Sequence, residues 1–421
     1  MKTRRWIYGA IGVVVLLFAG LVYAWSVLAM PIREFFTDWS STKLSFTFTL
    51  CMMFFCFGGL ITGLLSEKVA PKIMLKLSAI LFLVGFFIAS HADNIITLYI
   101  GYGVLAGLAS GFAYNSIMGN VMKFFPDCPG LISGVLLMGF GFGSFLIGKV
   151  YQAVTPYGPG IDKWRNSFLV FGVILFVIMF VCSFFIRKPT KEELVEINKD
   201  IKNKNLKNKS SQLDLSPTKM LKKPSFWIFF TWAVSLSASG LAIVSQASGV
   251  AIEVGKDTSP GTISTVVGMI SIFNGIGRVI FGGLYDRIGR LKTMLLNDTL
   301  FLLASFILII AIKSGQFSLI IIGFVLIGLS YGGITPTNSA FVNDFYGSKN
   351  YAVNLSLVNM NLLIASFGST IAGLLYDSSG SYYSTLMVMI IAILCSFIFT
   401  LMITKVNNTE NKVLEEINNI C

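Results

Sequence analysis

Apolar residues in this chain gather into runs of about twenty, separated by short polar breaks. A helix needs roughly 20 mostly apolar residues to cross the hydrocarbon core of a bilayer. Twelve such runs lie near 7–29, 44–65, 73–91, 95–118, 131–151, 166–186, 225–249, 262–284, 293–312, 316–338, 351–375 and 382–404. Each predicts a transmembrane helix, numbered here span one to span twelve. The first follows Lys2, Arg4 and Arg5 in the manner of a signal peptide, but it runs on past any cleavage-like site and reads as span one. One long polar stretch, 187–223, falls between spans six and seven. It carries a capping-box pattern, Thr190 to Glu193, followed by Leu194, Ile197 and Ile201 at helical spacing. It reads as a solvated linker helix, with a regulatory or lipid-contacting helix as the alternative. The expected organisation is a six-helix bundle over 1–186, a cytoplasmic linker over 187–223, a second six-helix bundle over 224–404 and a cytoplasmic tail over 405–421.

Composition agrees with the pattern. The 421 residues are 55% hydrophobic and 12% charged, against about 25% charged in an ordinary soluble domain. That excludes a soluble enzyme and a nucleic-acid binder, and makes the lipid bilayer the first partner. The formal charge of +12, 32 Lys and Arg against 20 Asp and Glu, reads as positive loops on one face of the membrane. With the N-terminus inside, the inner segments hold 24 of them and the outer segments seven; without the eleven of the central stretch the ratio is still 13 to 7. Positive loops face the cytoplasm, so both termini are expected there, in the cell membrane. Cys51, Cys56, Cys182 and Cys395 stand in apolar runs and read as small buried hydrophobes. No disulfide framework, metal cluster, Walker loop or catalytic triad is read, so neither an enzyme nor a cofactor is expected.

A short repeat links the two halves. After span eight the chain reads Gly282-Gly283-Leu284-Tyr285-Asp286-Arg287-Ile288-Gly289-Arg290; after span two it reads Gly63-Leu64-Leu65-Ser66-Glu67-Lys68-Val69-Ala70. Both give glycine, three residues, acid, base, and the acids lie 219 positions apart. Such a loop lets an acid at one helix end meet bases and a helix N-terminus and lock one closed conformation. Two related six-helix halves with a site between them at mid-membrane are a common transporter architecture. The pattern resembles the major facilitator superfamily, whose repeated Gly-x-x-x-Asp-Arg-x-Gly-Arg-Arg signature is nearly intact in the second copy and degenerate in the first. The fold this implies is an all-α membrane protein of twelve helices in two pseudo-symmetric bundles. Tyr23-Ala24-Trp25-Ser26, the run Asn274-Gly275 to Arg278 and Gly282, Phe125-Pro126-Asp127 and Pro336-Thr337-Asn338-Ser339 resemble the oxalate/formate antiporter family, near the monocarboxylate carriers.

Arg278 is the sharpest single feature, a charge with apolar sequence on both sides. An arginine at mid-membrane costs about 3 kcal/mol on insertion scales, so it is expected to face an interior cavity. Its planar fork suits a carboxylate; the competing reading is a structural pair with a carbonyl or an acid. The family resemblance implies anion contact at this position. The family's oxalate exchanger also places a lysine in span eleven, whereas here Lys and Arg are absent between Lys349 and Lys405, and the span offers Asn354, Ser356, Asn359 and Asn361. One fixed cation favours a monoanion over oxalate. Asn359 and Asn361, with Asn274, are candidate hydrogen-bonding partners, or else interhelical glue. Tyr23, Tyr114 and Tyr331 are expected to line the cavity, with packing as the alternative; Tyr114 and Tyr331 lie 217 positions apart and are expected to close it from both halves. Proton-linked relatives carry an acid where Asn274 stands, leaving Asp298 as the possible proton carrier. His91 reads as an interfacial polar tip. The expected function is a monomeric secondary transporter of small carboxylate anions, by exchange or facilitated transport. The alternatives are a proton-coupled lactate- or pyruvate-type symporter and a transporter-like sensor of organic anions.

Overall fold

The computed structural model describes the chain apart from residues 1, 67, 126–128, 157, 191, 194–214, 348–349 and 421, and apart from the side chains of 2–4, 129–131, 352 and 404–420. Glu67, Pro126, Asp127, Leu194, Ile197 and Ile201 therefore lie outside the described residues. Twelve described helices are long and apolar enough to cross a membrane: Arg5–Phe35, Ser41–Leu65, Pro71–Ser90, Ile95–Phe124, Ile132–Val154, Trp164–Ser183, Pro224–Val254, Pro260–Ile288, Arg290–Ser314, Phe317–Tyr346, Val353–Ser379 and Tyr383–Ile403. They coincide in order with spans one to twelve, and several run longer than the apolar windows. Span ten passes through Pro336 to Tyr346. Proline removes one backbone donor there, and the Thr337 hydroxyl bonds the Gly333 carbonyl at 2.7 Å in the same turn.

Three spans depart from regular α-geometry. Span one tightens into a 3₁₀ turn over Gly20–Ala24, span four carries a π-helical stretch over Tyr99–Ala106, and span eleven is divided into Tyr351–Asn359, Asn361–Ala365 and Phe367–Ser379. Spans eight and nine meet at a single residue, Gly289, with φ +80°. A side chain disfavours that conformation. Asp286 and Arg287 stand exposed in the turn before it, and the Arg290 guanidinium after it lies 4.6 Å from the Phe345 ring.

Spans one to six pack among themselves, chiefly two on four, three on four, one on five and three on six; spans seven to twelve do likewise, chiefly eight on ten, nine on ten, seven on eleven and seven on twelve. Two seams join the halves, span five on span eight and span two on span eleven, with span one touching span seven. Gly141 makes the first seam possible: a Cβ there would lie 3.1 Å from the Gly275 nitrogen. The outer faces carry large apolar side chains such as Phe87, Val170 and Ile391. Water does not tolerate that much contiguous apolar surface; lipid does.

The central polar stretch is tied down where it is described. Thr190 and Glu193 exchange capping-box bonds, Thr190 N to Glu193 Oε2 at 2.9 Å and Glu193 N to Thr190 Oγ1 at 3.3 Å. Both Arg187 Nη atoms donate to Glu193 at 2.7 Å, and this fork holds the Glu193 carboxyl down to about 2. Lys188 donates to the Ser66 carbonyl at 2.5 Å. At the far end Asn350 and Asn354 both donate to the Leu215 carbonyl, at 3.2 and 3.1 Å.

Candidate functional site

Backbone geometry sets the site before any side chain does. The 3₁₀ turn of span one presses Gly20 against the Phe140 carbonyl of span five, and the same turn carries Tyr23. Its ring meets Phe140 edge-on at 5.5 Å, while Tyr114 of span four meets Phe140 at 5.6 Å and Phe55 at 5.2 Å. These rings wall one side of a narrow cavity between the halves, with about 430 Å³ of non-atom space, open solvent included. The other wall is Ser237 of span seven, Arg278 of span eight, Tyr331, Thr335 and Asn338 of span ten, and Asn359 of span eleven.

Among the lining residues Arg278 is the one charged side chain. It is 4% exposed. Its Nη1 donates to the Leu137 carbonyl of span five at 2.5 Å, its guanidinium carbon lies 5.7 Å from the Phe140 ring, and its Nε is buried without a partner. No acidic side chain pairs with it among the described residues. One nitrogen anchors the fork to a carbonyl of the opposite half, and among the described residues no acid compensates the positive charge. A buried unpaired charge is expensive, and an anion at this point offsets that cost.

Tyr23 and Tyr331 meet hydroxyl to hydroxyl at 3.2 Å across the halves. Tyr114 and Tyr331 both line the cavity, one from each half, and the tyrosine that touches Tyr331 is Tyr23. Beyond this pair, toward the end of the bundle opposite the chain termini, a narrow neck shares Tyr23 and Ser26 and is crossed by Ser144 Oγ to Ser271 Oγ at 2.7 Å. Further out lies a vestibule of about 2210 Å³, open solvent included, bordered by Trp25, Arg33, Glu34, Glu253, Lys256 and Asp377. The seam of spans two and eleven there is a polar zipper. Asp377 Oδ2 accepts from the Thr42 nitrogen at 3.0 Å and from its hydroxyl; Ser369 donates to the Ser45 carbonyl at 3.3 Å; and Thr49 joins Thr370 and the Ser366 carbonyl, each at 2.8 Å. Toward the termini Asn115 Nδ2 of span four donates to Ser356 Oγ of span eleven at 3.1 Å, beside Gly63 of span two.

The remaining candidates divide. Asn359 lines the cavity and accepts from Asn338 Nδ2 at 3.4 Å. Asn361 does not line it: its amide turns back onto the Val358 carbonyl at 2.7 Å. Asn274 is buried outside the lining, its backbone packed on Gly328 and Gly332 of span ten. Ser237, Thr335 and Asn338 also line the cavity; of the three, only Asn338 stands out in the sequence, within the Pro336-Thr337-Asn338-Ser339 motif of span ten. Asp298 lies apart from the cavity, completely buried, accepting from Trp232 Nε1 at 3.1 Å, Ser396 Oγ at 2.9 Å and Thr400 Oγ1 at 2.8 Å. His91 is exposed, its Nδ1 2.9 Å from the Phe87 carbonyl at the end of span three.

A family model described as Major Facilitator Superfamily matches residues 11–250 and 235–419. The chain is 26% identical over 371 residues to an uncharacterized MFS-type transporter, YhjX, of Escherichia coli (strain K12), covering 87% of this chain and 86% of that protein. It is 26% identical over 352 residues to the oxalate:formate antiporter of Oxalobacter formigenes, covering 83% of this chain and 80% of the other. Monocarboxylate transporter 13 of Rattus norvegicus is 23% identical over 335 residues, 79% of this chain and 73% of that one.

Proposed function

Because the chain belongs to the Major Facilitator Superfamily, and is a multi-pass membrane transporter on that ground, we propose that it moves small carboxylate monoanions by exchange or facilitated transport through alternating access. The observation that carries this reading is Arg278, a buried guanidinium in a cavity between the halves with no acid to neutralise it among the described residues. A single carboxylate brings the site near neutrality. A dianion leaves one negative charge, and moving that charge through 100 mV changes the free energy by about 2.3 kcal/mol. The names of two relatives, an oxalate:formate antiporter and a monocarboxylate transporter, agree with a carboxylate, and the charge count selects the singly charged members. Tyr23, Tyr114, Tyr331 and Asn359 complete the site in this reading. Proton coupling through Asp298 gains no support, since that carboxylate is remote from the cavity and already accepts three hydrogen bonds.

The membrane orientation belongs to the same proposal: both termini and the central linker face the cytoplasm, on the excess of Lys and Arg in those segments. An impermeant thiol reagent added to intact cells should mark a cysteine placed at Lys256 and spare one at Lys204. Function is tested by counterflow into proteoliposomes preloaded with formate, acetate, lactate, pyruvate or oxalate. Monocarboxylates should drive uptake and oxalate should do so weakly; uptake driven by none of the monoanions ends the proposal.

A further inference from the structure

Three polar atoms from three spans of the cavity wall stand buried with no partner: Arg278 Nε, Ser237 Oγ and Asn338 Oδ1. They differ in what they ask of a ligand. Arg278 Nε only donates, and a carboxylate satisfies it. Ser237 Oγ donates or accepts. The Asn338 oxygen only accepts, and a carboxylate, itself acceptor-only, cannot satisfy it. The requirement survives a flip of the amides. Asn338 and Asn359 share one bond, so whichever oxygen it uses, the pair keeps one free oxygen and one free amino group. A ligand that fills this cavity and leaves the oxygen bare loses affinity to one that reaches it with a donor.

We propose that Asn338 is a specificity-determining residue that reads a hydroxyl carried beside the carboxylate, so that the site prefers 2-hydroxy monocarboxylates to 2-oxo or unsubstituted acids of the same size. This rests on the carboxylate reading of Arg278. In the bound arrangement the carboxylate takes the Arg278 side, and the hydroxyl hydrogen points to the amide pair of spans ten and eleven. The same hydroxyl bridges two elements that meet near the division of span eleven at Met360.

The test compares two matched pairs, lactate with pyruvate and glycolate with acetate, as competitors of counterflow in proteoliposomes. The unaltered protein should bind each hydroxy acid about tenfold more tightly than its partner. Asn338→Leu, close in size, should weaken the hydroxy acids at least tenfold more than their partners. Asn338→Ser, which keeps an acceptor, should retain part of the preference. Equal affinity within both pairs in the unaltered protein overturns the inference while leaving the carboxylate reading intact. Failure of all four acids to compete overturns the carboxylate reading itself. A Leu variant that folds, by thermal unfolding in detergent, and weakens all four acids in proportion assigns Asn338 a structural role and also ends the inference. Should the Leu variant not fold, the ratios in the unaltered protein and the Ser variant decide.

Discussion

Asp377 caps a helix that belongs to the other half of the molecule. Span two begins at Ser41 with Ser40 as its own N-cap, accepting from the Lys43 nitrogen at 3.3 Å. The Thr42 nitrogen, another of the first amides left without an intrahelical partner, goes instead to Asp377 of span eleven at 3.0 Å. Opening the bundle at the vestibule end parts spans two and eleven and must break this cap. Losing an N-cap costs about 1 kcal/mol, and removing an exposed carboxylate from a helix N-terminus costs about 0.3–1 kcal/mol more. Asp377→Ala should therefore shift the balance toward the open vestibule by about 1–2 kcal/mol, a factor of roughly 5 to 30. Asp377→Asn keeps an accepting oxygen and loses only the charge, so its shift should be about two- to fivefold. The readout is the rate at which an impermeant maleimide labels a cysteine at Ser26, which lines both neck and vestibule, in a background cleared of native cysteines. Labelling of the Ala variant at the parent's rate would refute the cap as a gate element.

Arg278→Ala should abolish exchange with the protein still inserted and folded, and Arg278→Lys should retain at most weak exchange, because a point ammonium cannot reach the Leu137 carbonyl and a carboxylate as the fork does; normal uptake by the Ala variant returns Arg278 to a structural role. Asp298→Ala should lower stability in detergent by about 1–3 kcal/mol, since it strands buried donors, while the relative affinities of competing acids stay as they were. If neutralising Asp298 instead uncouples transport from a proton gradient, the carboxylate is a proton carrier after all. Glu193→Gln should change stability by less than about 1 kcal/mol, because the Arg187 pair is partly exposed, and its effect should be flat from pH 5 to 8. The sign follows from the Glu193 carboxyl being held down to about 2 from an ordinary 4.5: the contribution is complete above the ordinary value and is lost only as pH falls toward 2. A pH-dependent difference between parent and variant near neutrality would contradict this.

The spans were legible because lipid as solvent leaves little choice: a backbone crossing it must satisfy its own hydrogen bonds, and a run of apolar residues long enough to do so as a helix is hard to miss. Their ends were less so. The apolar run of span ten stops near Asn338, yet the helix continues to Tyr346, because its inner turns are buried against protein, where polar side chains find partners. Asn338, at the end of that run, therefore sits within the helix and in the cavity wall. Arg278 was legible as the lone charge well inside span eight. Asn361 was misleading for a local reason: the division of span eleven at Met360 turns Asn359 to the cavity and Asn361 onto its own helix. The partners of Asp298 come from spans seven and twelve, and the tyrosine opposite Tyr331 is set by a 3₁₀ turn in span one. Neither long-range meeting is written in periodicity or in repeat spacing.

The most direct measurement is equilibrium binding of a radiolabelled monocarboxylate, lactate, to the purified protein and to Arg278→Ala, with unlabelled oxalate as competitor. The expected result is one site per chain, weak displacement by oxalate, and no saturable binding to the Ala variant although it unfolds at a temperature close to the parent's. Undiminished binding to that variant, or displacement by oxalate as strong as by unlabelled lactate, would contradict a site built around one uncompensated cation.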